Sequence, residues 1–451
     1  MLIKISIENY KSFDSLEEVS LISSSKIRSN PDHKTTIKKV NILKNAVIYG
    51  ANASGKSNLV KALSLIKTTL VEGLPINSIN DYCRNRTENK DRKSQFELQF
   101  TVGNKFYAYG FSSILSQRRI VEEWLYELNQ DGNAKNVFSR ELDKVPELGD
   151  INIQGSEKRR FDVYASDFIN QPSALFLSEM NRGKKYDDKS RLIVFSEVYN
   201  WLVNNIVVLF PNMGIANTDA YYKQESLEKI SELISTFDTG VNQICTQKIT
   251  VEELSKKVPV EILNSIIYSI KQQMQMANTT SVQMSWRLDA GFYNIRMYDN
   301  EEPEITSLVL KHGKSLLDFD FAEESDGTKR LFELVDLILS KREDTVYVVD
   351  ELERSLHPKL TEHFLRLFMD SHKNERVQLI FTTHEDTIMD QELFRRDEIW
   401  FVERDSTNSS DIYSLDRFKE RYDKKLSKAY LEGRYGAIPV FKQFSFEDKE
   451  D

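Results

Sequence analysis

The chain opens on a period of two. Ile3, Ile5 and Ile7 alternate with Lys4, Ser6 and Glu8, which predicts a strand with one apolar face. A short apolar run, Ala46-Val47-Ile48-Tyr49, predicts a second strand, and Leu59, Ala62, Leu63 and Ile66 then recur at helical spacing. Residues 95–128 return to strand character, with Phe96 to Phe100, Phe106 to Tyr109 and Trp124 to Tyr126 as three runs. Gly103-Asn104 sits between the first two as a hairpin turn. From 186 to 280 the period is helical: Leu192, Val194, Phe195, Val198, Trp201 and Leu202 share a face, and 225–235 and 251–276 behave likewise. This stretch is predicted to be a helical insertion. Its heptads do not persist, so no coiled-coil arm is expected. Alternation resumes at Val282, Met284 and Trp286 and again at Tyr293, Ile295 and Met297. Helix and strand then alternate through 331–339, 346–349, 360–369 and 379–381, which predicts an α/β core with a parallel sheet. The expected division is 1–185, a β-rich first part of that core, then the helical insertion 186–280, then 281–451.

Composition changes this picture little. With 61 basic and 70 acidic residues the net charge is -9, which excludes a strongly basic nucleic-acid module. Local basic clusters at Arg118-Arg119, Lys158-Arg159-Arg160 and Lys184-Lys185 leave DNA contact open. The two cysteines, Cys83 and Cys245, cannot build a disulfide framework, and no Cys/His spacing points to zinc. No run approaches the ~20 apolar residues of a membrane span, so no membrane partner is expected and the chain is placed in the cytoplasm.

The strongest chemical signal is Gly50-Ala51-Asn52-Ala53-Ser54-Gly55-Lys56-Ser57, which fits G-x-x-x-x-G-K-[ST] between a predicted strand and a predicted helix. Such a loop turns its N–H groups towards phosphate oxygens at the positive end of the helix. Gly50, Asn52, Ser54, Gly55, Lys56 and Ser57 are therefore the expected nucleotide contacts. Lys56 would neutralise phosphate charge, and the Ser57 hydroxyl would meet Mg²⁺. The apolar run Val346–Val349 ends in Asp350-Glu351; there Asp350 is placed to hold Mg²⁺ and Glu351 to polarise an attacking water. Glu324-Ser325-Asp326-Gly327-Thr328 leads into an apolar helix, where it is either an ordinary N-cap or a second anion site. Thr382-Thr383-His384 follows the strand 379–381, where a histidine is either a plain surface residue or a sensor of a terminal phosphate.

The order of these parts, with a long insertion after the P-loop, resembles the heads of ABC-type ATPases, SMC and RecF proteins included. The opening Ile7-Glu8-Asn9-Tyr10-Lys11-Ser12-Phe13 is similar to the start of such heads, which adds Lys11 to the expected nucleotide contacts. More specifically the chain resembles the OLD-like AAA ATPases (AAA family fifteen) of bacterial abortive-infection and phage-defence systems. Glu324–Thr328, Ser355-Leu356-His357-Pro358 and Gly433-Arg434-Tyr435-Gly436-Ala437 carry that resemblance. It implies an ABC-type P-loop ATPase head that uses ATP and Mg²⁺, with Ser325 and Gly327 contacting the nucleotide of a second subunit. Glu351 then becomes the catalytic base, His384 the switch histidine, and Gln171 a candidate Q-loop residue. Two positions depart from the wider pattern: Asp326 stands where the ABC signature has glycine, and His357 where transporters carry an aspartate.

The resemblance further implies a homodimer or higher homo-oligomer with composite ATP sites. The stretch after His384 is too short for the TOPRIM nuclease domain of OLD nucleases, so a separate toxin or nuclease is expected to act in trans. The competing expectation is an SMC/RecF-like DNA-maintenance ATPase that clamps DNA. A kinase or a transporter subunit accounts for neither Ser325 nor Gly327 at this place.

Overall fold

The computed structural model describes residues 1–129, 133–211, 224–277, 279–288, 291–298, 302–340, 342–418 and 425–438. The chain forms two compact units, each assembled from separated segments. Met1–Pro211, Arg342–Leu352 and His372–Asp451 make the first; Asn212–Lys341 and Glu353–Ser371 make the second.

Two large sheets build the first unit, beside the short pair of strands Lys34–Ile37 and Val40–Leu43. One is antiparallel, with strand order 147–148, 134–141, 119–128, 105–114, 94–102, 2–8 and 17–20. The opening strand Leu2–Glu8 lies inside it, which is why Ser6 is buried along with Ile3, Ile5 and Ile7. The hairpin Ser94–Val102 to Lys105–Ile114 turns at Gly103-Asn104, as the pattern predicted. The other sheet has the order 206–209, 346–349, 378–382, 45–49, 399–404 and 410–414. Its neighbours are parallel except the last pair. All residues of Asn45–Tyr49, Val346–Val349 and Gln378–Thr382 are buried, as strands covered on both faces must be. The helix Lys56–Glu72 buries Leu59, Val60, Ala62, Leu63, Ile66 and Leu70, in the same hydrophobic core as residues of both sheets. The α/β expectation is met.

In the second unit an antiparallel sheet runs in the order 241–249, 304–312, 291–298 and 281–288, with 319–320 paired to 304–312. Helices Gln224–Ser235, Val251–Lys257, Val260–Ala277, Asp326–Leu339 and Pro358–Ser371 belong to the same unit. Thr250 and Glu253 form a reciprocal capping box at the start of Val251–Lys257.

The expected insertion boundaries at 186 and 280 do not coincide with these units. Helix Ile193–Asn204 belongs to the first unit, where Trp201 stacks on Phe100 with ring centroids 4.6 Å apart. Ile206–Leu209 is an edge strand of the parallel sheet. Nor is the rest purely helical, because Val241–Ile249 is a strand. It is an edge strand packed by helix Gln224–Ser235, and only Val241 and Ile244 are buried in it, so period-2 alternation is missing from its sequence. The strands 281–312 and the helix Asp326–Leu339, expected in the last division, share the second unit with the helices.

One buried titratable group ties the fold to pH. Lys44, just before the strand Asn45–Tyr49, donates to the carbonyls of His372 (3.1 Å) and Lys373 (2.6 Å). Burial, reinforced by the Lys44 cation, pushes the His372 imidazole down to about 4. The unfolded chain takes up that proton near pH 6.5 and the folded chain only near 4, so this contribution to stability is lost as pH falls through that window. His372→Gln should therefore flatten the decline in melting temperature between pH 6.5 and 4.5. An unchanged slope would rule His372 out as its source.

Candidate active site

Three parallel strands, 45–49, 346–349 and 378–382, finish at one edge of the sheet, with Thr382 opposite Ile48 and Val349 opposite Phe381. Ligands of open α/β sheets gather outside such carboxyl ends. The residues that follow are Gly50–Gly55, Asp350-Glu351 and Thr383-His384, so strand pairing alone assembles three motifs far apart in sequence.

The P-loop is held from behind by two serines. Ser410 Oγ donates to the Ser54 carbonyl (2.5 Å), the Ser410 N–H donates to the Ser12 carbonyl (2.8 Å), and the Asn58 amide donates to Ser12 Oγ (2.8 Å). Both serines press on Gly55. A Cβ there would lie 2.5 Å from Ser410 Oγ and 2.6 Å from Ser12 Oγ, at a φ of +115° that only glycine adopts readily. As N-cap, Gly55 offers no side chain to the first turn of the helix, whose positive end favours an anion. Ser54 is buried, and its hydroxyl has no hydrogen-bond partner among the described residues. Asn52 and Ala53 are exposed at the loop tip, with Ala53 at φ +62°.

Lys56 is buried and folds back on the loop, donating to the carbonyls of Gly50 (2.6 Å) and Ala51 (3.1 Å). Its Nζ also lies 3.2 Å from His384 Nδ1. An ammonium only donates, so Nδ1 is the acceptor there. Ser57 Oγ donates to Asp350 Oδ1 (3.0 Å), and Thr382 Oγ1 donates to the same oxygen (2.7 Å). Glu351 follows at φ +48°, its N–H donating to Thr382 Oγ1 (2.8 Å). Lys56, Ser57, Asp350, Glu351 and His384 thus gather at one strand edge.

Other expected residues sit differently. The Lys11 ammonium pairs with Asp81 (2.7 Å), and it is the next residue, Ser12, that touches the P-loop. Gln171 follows the helix Gly155–Phe168, and its carbonyl accepts from Arg140 (3.0 Å), within a network that includes the buried Glu123. None of the described hydrogen bonds joins Gln171 to the P-loop. Ser325 and Gly327 belong to the second unit. There Ser325 Oγ caps helix Asp326–Leu339 by accepting from the Thr328 N–H (3.1 Å). A Cβ at Gly327 would come within 2.7 Å of the Ser355 carbonyl, so that turn requires a glycine. His357 Nδ1 accepts from the Lys359 N–H (3.2 Å). In the first unit, Tyr435 of Gly433–Ala437 is buried against Phe401 (5.7 Å), and Tyr430 packs on Tyr49 (6.0 Å), directly before the P-loop.

These groups suit a polyphosphate with a divalent cation. Lys56 and an uncapped helix start face the phosphate side. Ser57 and Asp350 offer hard oxygens, and no cluster of three metal-ligating side chains exists among the described residues. A cation bound here takes most of its ligands from phosphate and water, the habit of Mg²⁺.

A family model described as "AAA domain, putative AbiEii toxin, Type IV TA system" matches residues 46–390, more than half of the chain. The chain belongs to this family. The AAA-domain match runs from the P-loop strand past His384, so it takes in the P-loop, the Asp350-Glu351 pair and His384. Among solved structures, an SMC head bound to the C-terminal winged-helix domain of ScpA is similar at 13% identity and TM-score 0.39, covering 92% of this chain and 97% of that one. The SMC head domain from Thermotoga maritima shares 14% identity at TM-score 0.34, over 92% and 98%. An SMC head from Pyrococcus furiosus with an extended coiled coil, bound to the C-terminal domain of ScpA, shares 13% at TM-score 0.34, over 96% and 99%. No curated protein matches the chain.

The packing behind Gly55 predicts that Gly55→Ala displaces the P-loop without unfolding the unit. Nucleotide affinity should fall at least about tenfold, because a misplaced phosphate loop loses several hydrogen bonds at once. Titration with a fluorescent ATP analogue measures it, and parent-like affinity would show that Ser12 and Ser410 yield to a methyl group.

Proposed function

We propose that this chain binds ATP with Mg²⁺ and hydrolyses it, as an OLD-like, ABC-type ATPase head that serves as a nucleotide-gated sensor or scaffold in an anti-phage, abortive-infection system. On this reading it holds or releases a separate toxin or nuclease in trans. The observation that carries the ATPase reading is the gathering of Lys56, Ser57, Asp350, Glu351 and His384 at one strand edge. Lys56 exchanges its loop carbonyls for phosphate oxygens, and the helix N-terminus adds donors. Ser57 and Asp350 hold Mg²⁺, which supplies charge neutralisation on the phosphates. Glu351 takes the proton of the attacking water. His384, beside Lys56, reads whether a terminal phosphate is present. The family's description as an AbiEii toxin in a type IV toxin–antitoxin system supports a defence role.

Lys56→Ala should abolish ATP binding; a variant that binds as tightly as the parent removes the P-loop assignment. Glu351→Gln keeps size and hydrogen bonding but cannot accept the proton, so binding should persist while hydrolysis falls by on the order of 10²–10⁴-fold. The trapped, ATP-loaded form should co-purify with its protein effector only when nucleotide is present. Retention of DNA instead, with no protein partner, would favour the SMC/RecF-like clamp.

Ser325 and Gly327 are read as acting on the nucleotide of a second subunit. Mixing Lys56→Ala chains with Ser325→Arg chains should then restore partial activity, through the one intact composite site of each mixed dimer. A mixture that co-assembles yet stays as inactive as either variant alone is incompatible with action in trans.

A further inference from the structure

Thr382 stands in the Thr382-Thr383-His384 run without an assigned role, yet among the described hydrogen bonds it touches both members of the acidic pair. Its Oγ1 donates to Asp350 Oδ1 (2.7 Å) and accepts from the Glu351 N–H (2.8 Å). The polarity is forced: an amide N–H can only donate, so the single hydroxyl proton goes to the carboxylate. The Thr382 carbonyl accepts in turn from the Leu352 N–H (3.2 Å). One fully buried residue on the neighbouring strand therefore holds three consecutive positions, a carboxylate and two amides.

Two details give this bond a purpose beyond ordinary satisfaction of polar groups. Glu351 sits at φ +48°, a left-handed conformation that a glutamate keeps only when its surroundings hold it there. Its N–H bond to Thr382 is such a hold. The second detail concerns Asp350. Ser57 and Thr382 both donate to Oδ1, and none of the described hydrogen bonds falls on Oδ2. The carboxylate is thereby turned with one oxygen occupied from behind and the other available.

We propose that Thr382 is a positioning residue that locks the orientation of Asp350 and the backbone of Glu351 into a single unit, so that cation holding and water activation stand or fall together. This rests on the ATPase reading above and adds to it a residue that touches neither nucleotide nor cation. Outer-shell partners of this kind typically change metal affinity about 10–100-fold when removed.

Thr382→Val keeps the shape and deletes the hydroxyl; Thr382→Ser keeps the hydroxyl and deletes a methyl. Binding of a fluorescent ATP analogue is measured in EDTA and then across a Mg²⁺ titration, and kcat and KM are measured at saturating Mg²⁺. T382V should bind the metal-free nucleotide as the parent does, need about tenfold more Mg²⁺, and lose kcat about 10–100-fold with KM unchanged. T382S should recover both properties to within about threefold, which a purely structural role of the threonine would not produce. A parent-like Mg²⁺ requirement in T382V overturns the proposal, and so does a T382S as impaired as T382V. If T382V does not fold, T382C takes its place, since its thiol is only a weak donor, and the same Mg²⁺ criterion applies. Failure of the parent itself to bind nucleotide would instead sink the ATPase reading, for which Lys56→Ala is the control.

Discussion

The buried side-chain amide of Gln378 ties together the two sheets on which the candidate site depends. Its Oε1 accepts from the Leu2 N–H (2.6 Å), and its Nε2 donates to the carbonyls of Leu2 (2.9 Å) and Leu43 (2.8 Å). One fully buried side chain thus joins the opening strand of the antiparallel sheet, the approach to the P-loop strand and the strand that ends in Thr382. A slip of one residue in Gln378–Thr382 would turn every side chain to the opposite face and carry the Thr382 hydroxyl away from Asp350. Register is strongly specified here because both faces are buried and because an unpaired amide in that interior is costly. The geometry of the acidic pair is thus set at the far end of a five-residue strand.

What could be read from the sequence divides along the same line. The P-loop, the Asp350-Glu351 pair and His384 are local signals, since each is a short pattern at the end of an apolar run. The roles of Ser12, Ser410 and Thr382 are not, although Ser12 lies in the opening Ile7–Phe13 run and Thr382 in Thr382-Thr383-His384. A threonine closing a strand is an ordinary β-former, and Ser410 lies in an antiparallel strand with no pattern that connects it to residue 55. The roles of Thr382 and Ser410 arise only when pairing places 378–382 beside 346–349, and 410–414 beside 399–404, itself the neighbour of 45–49. Lys11 shows the converse. Its motif was visible, but the charge is committed to Asp81, and the neighbouring small hydroxyl makes the contact. The insertion misled for a related reason. Val241–Ile249 carries too few buried positions to show alternation, and Ile193–Asn204 has a helical period that says nothing about which unit it packs in.

The chemistry at Ser325 in this structure is that of a helix cap. Its Oγ accepts from the Thr328 N–H and lies 2.9 Å from Thr328 Oγ1. If Thr328 supplies the proton of that second bond, Ser325 is an acceptor twice over and its own proton remains to be donated. A helix start concentrates positive potential there, against which Asp326 in the first turn places a negative charge. The cap and an anion-binding role therefore do not compete for the same atoms. Gly327 is fixed by the Ser355 carbonyl whatever the ligand, so its identity is a requirement of the turn.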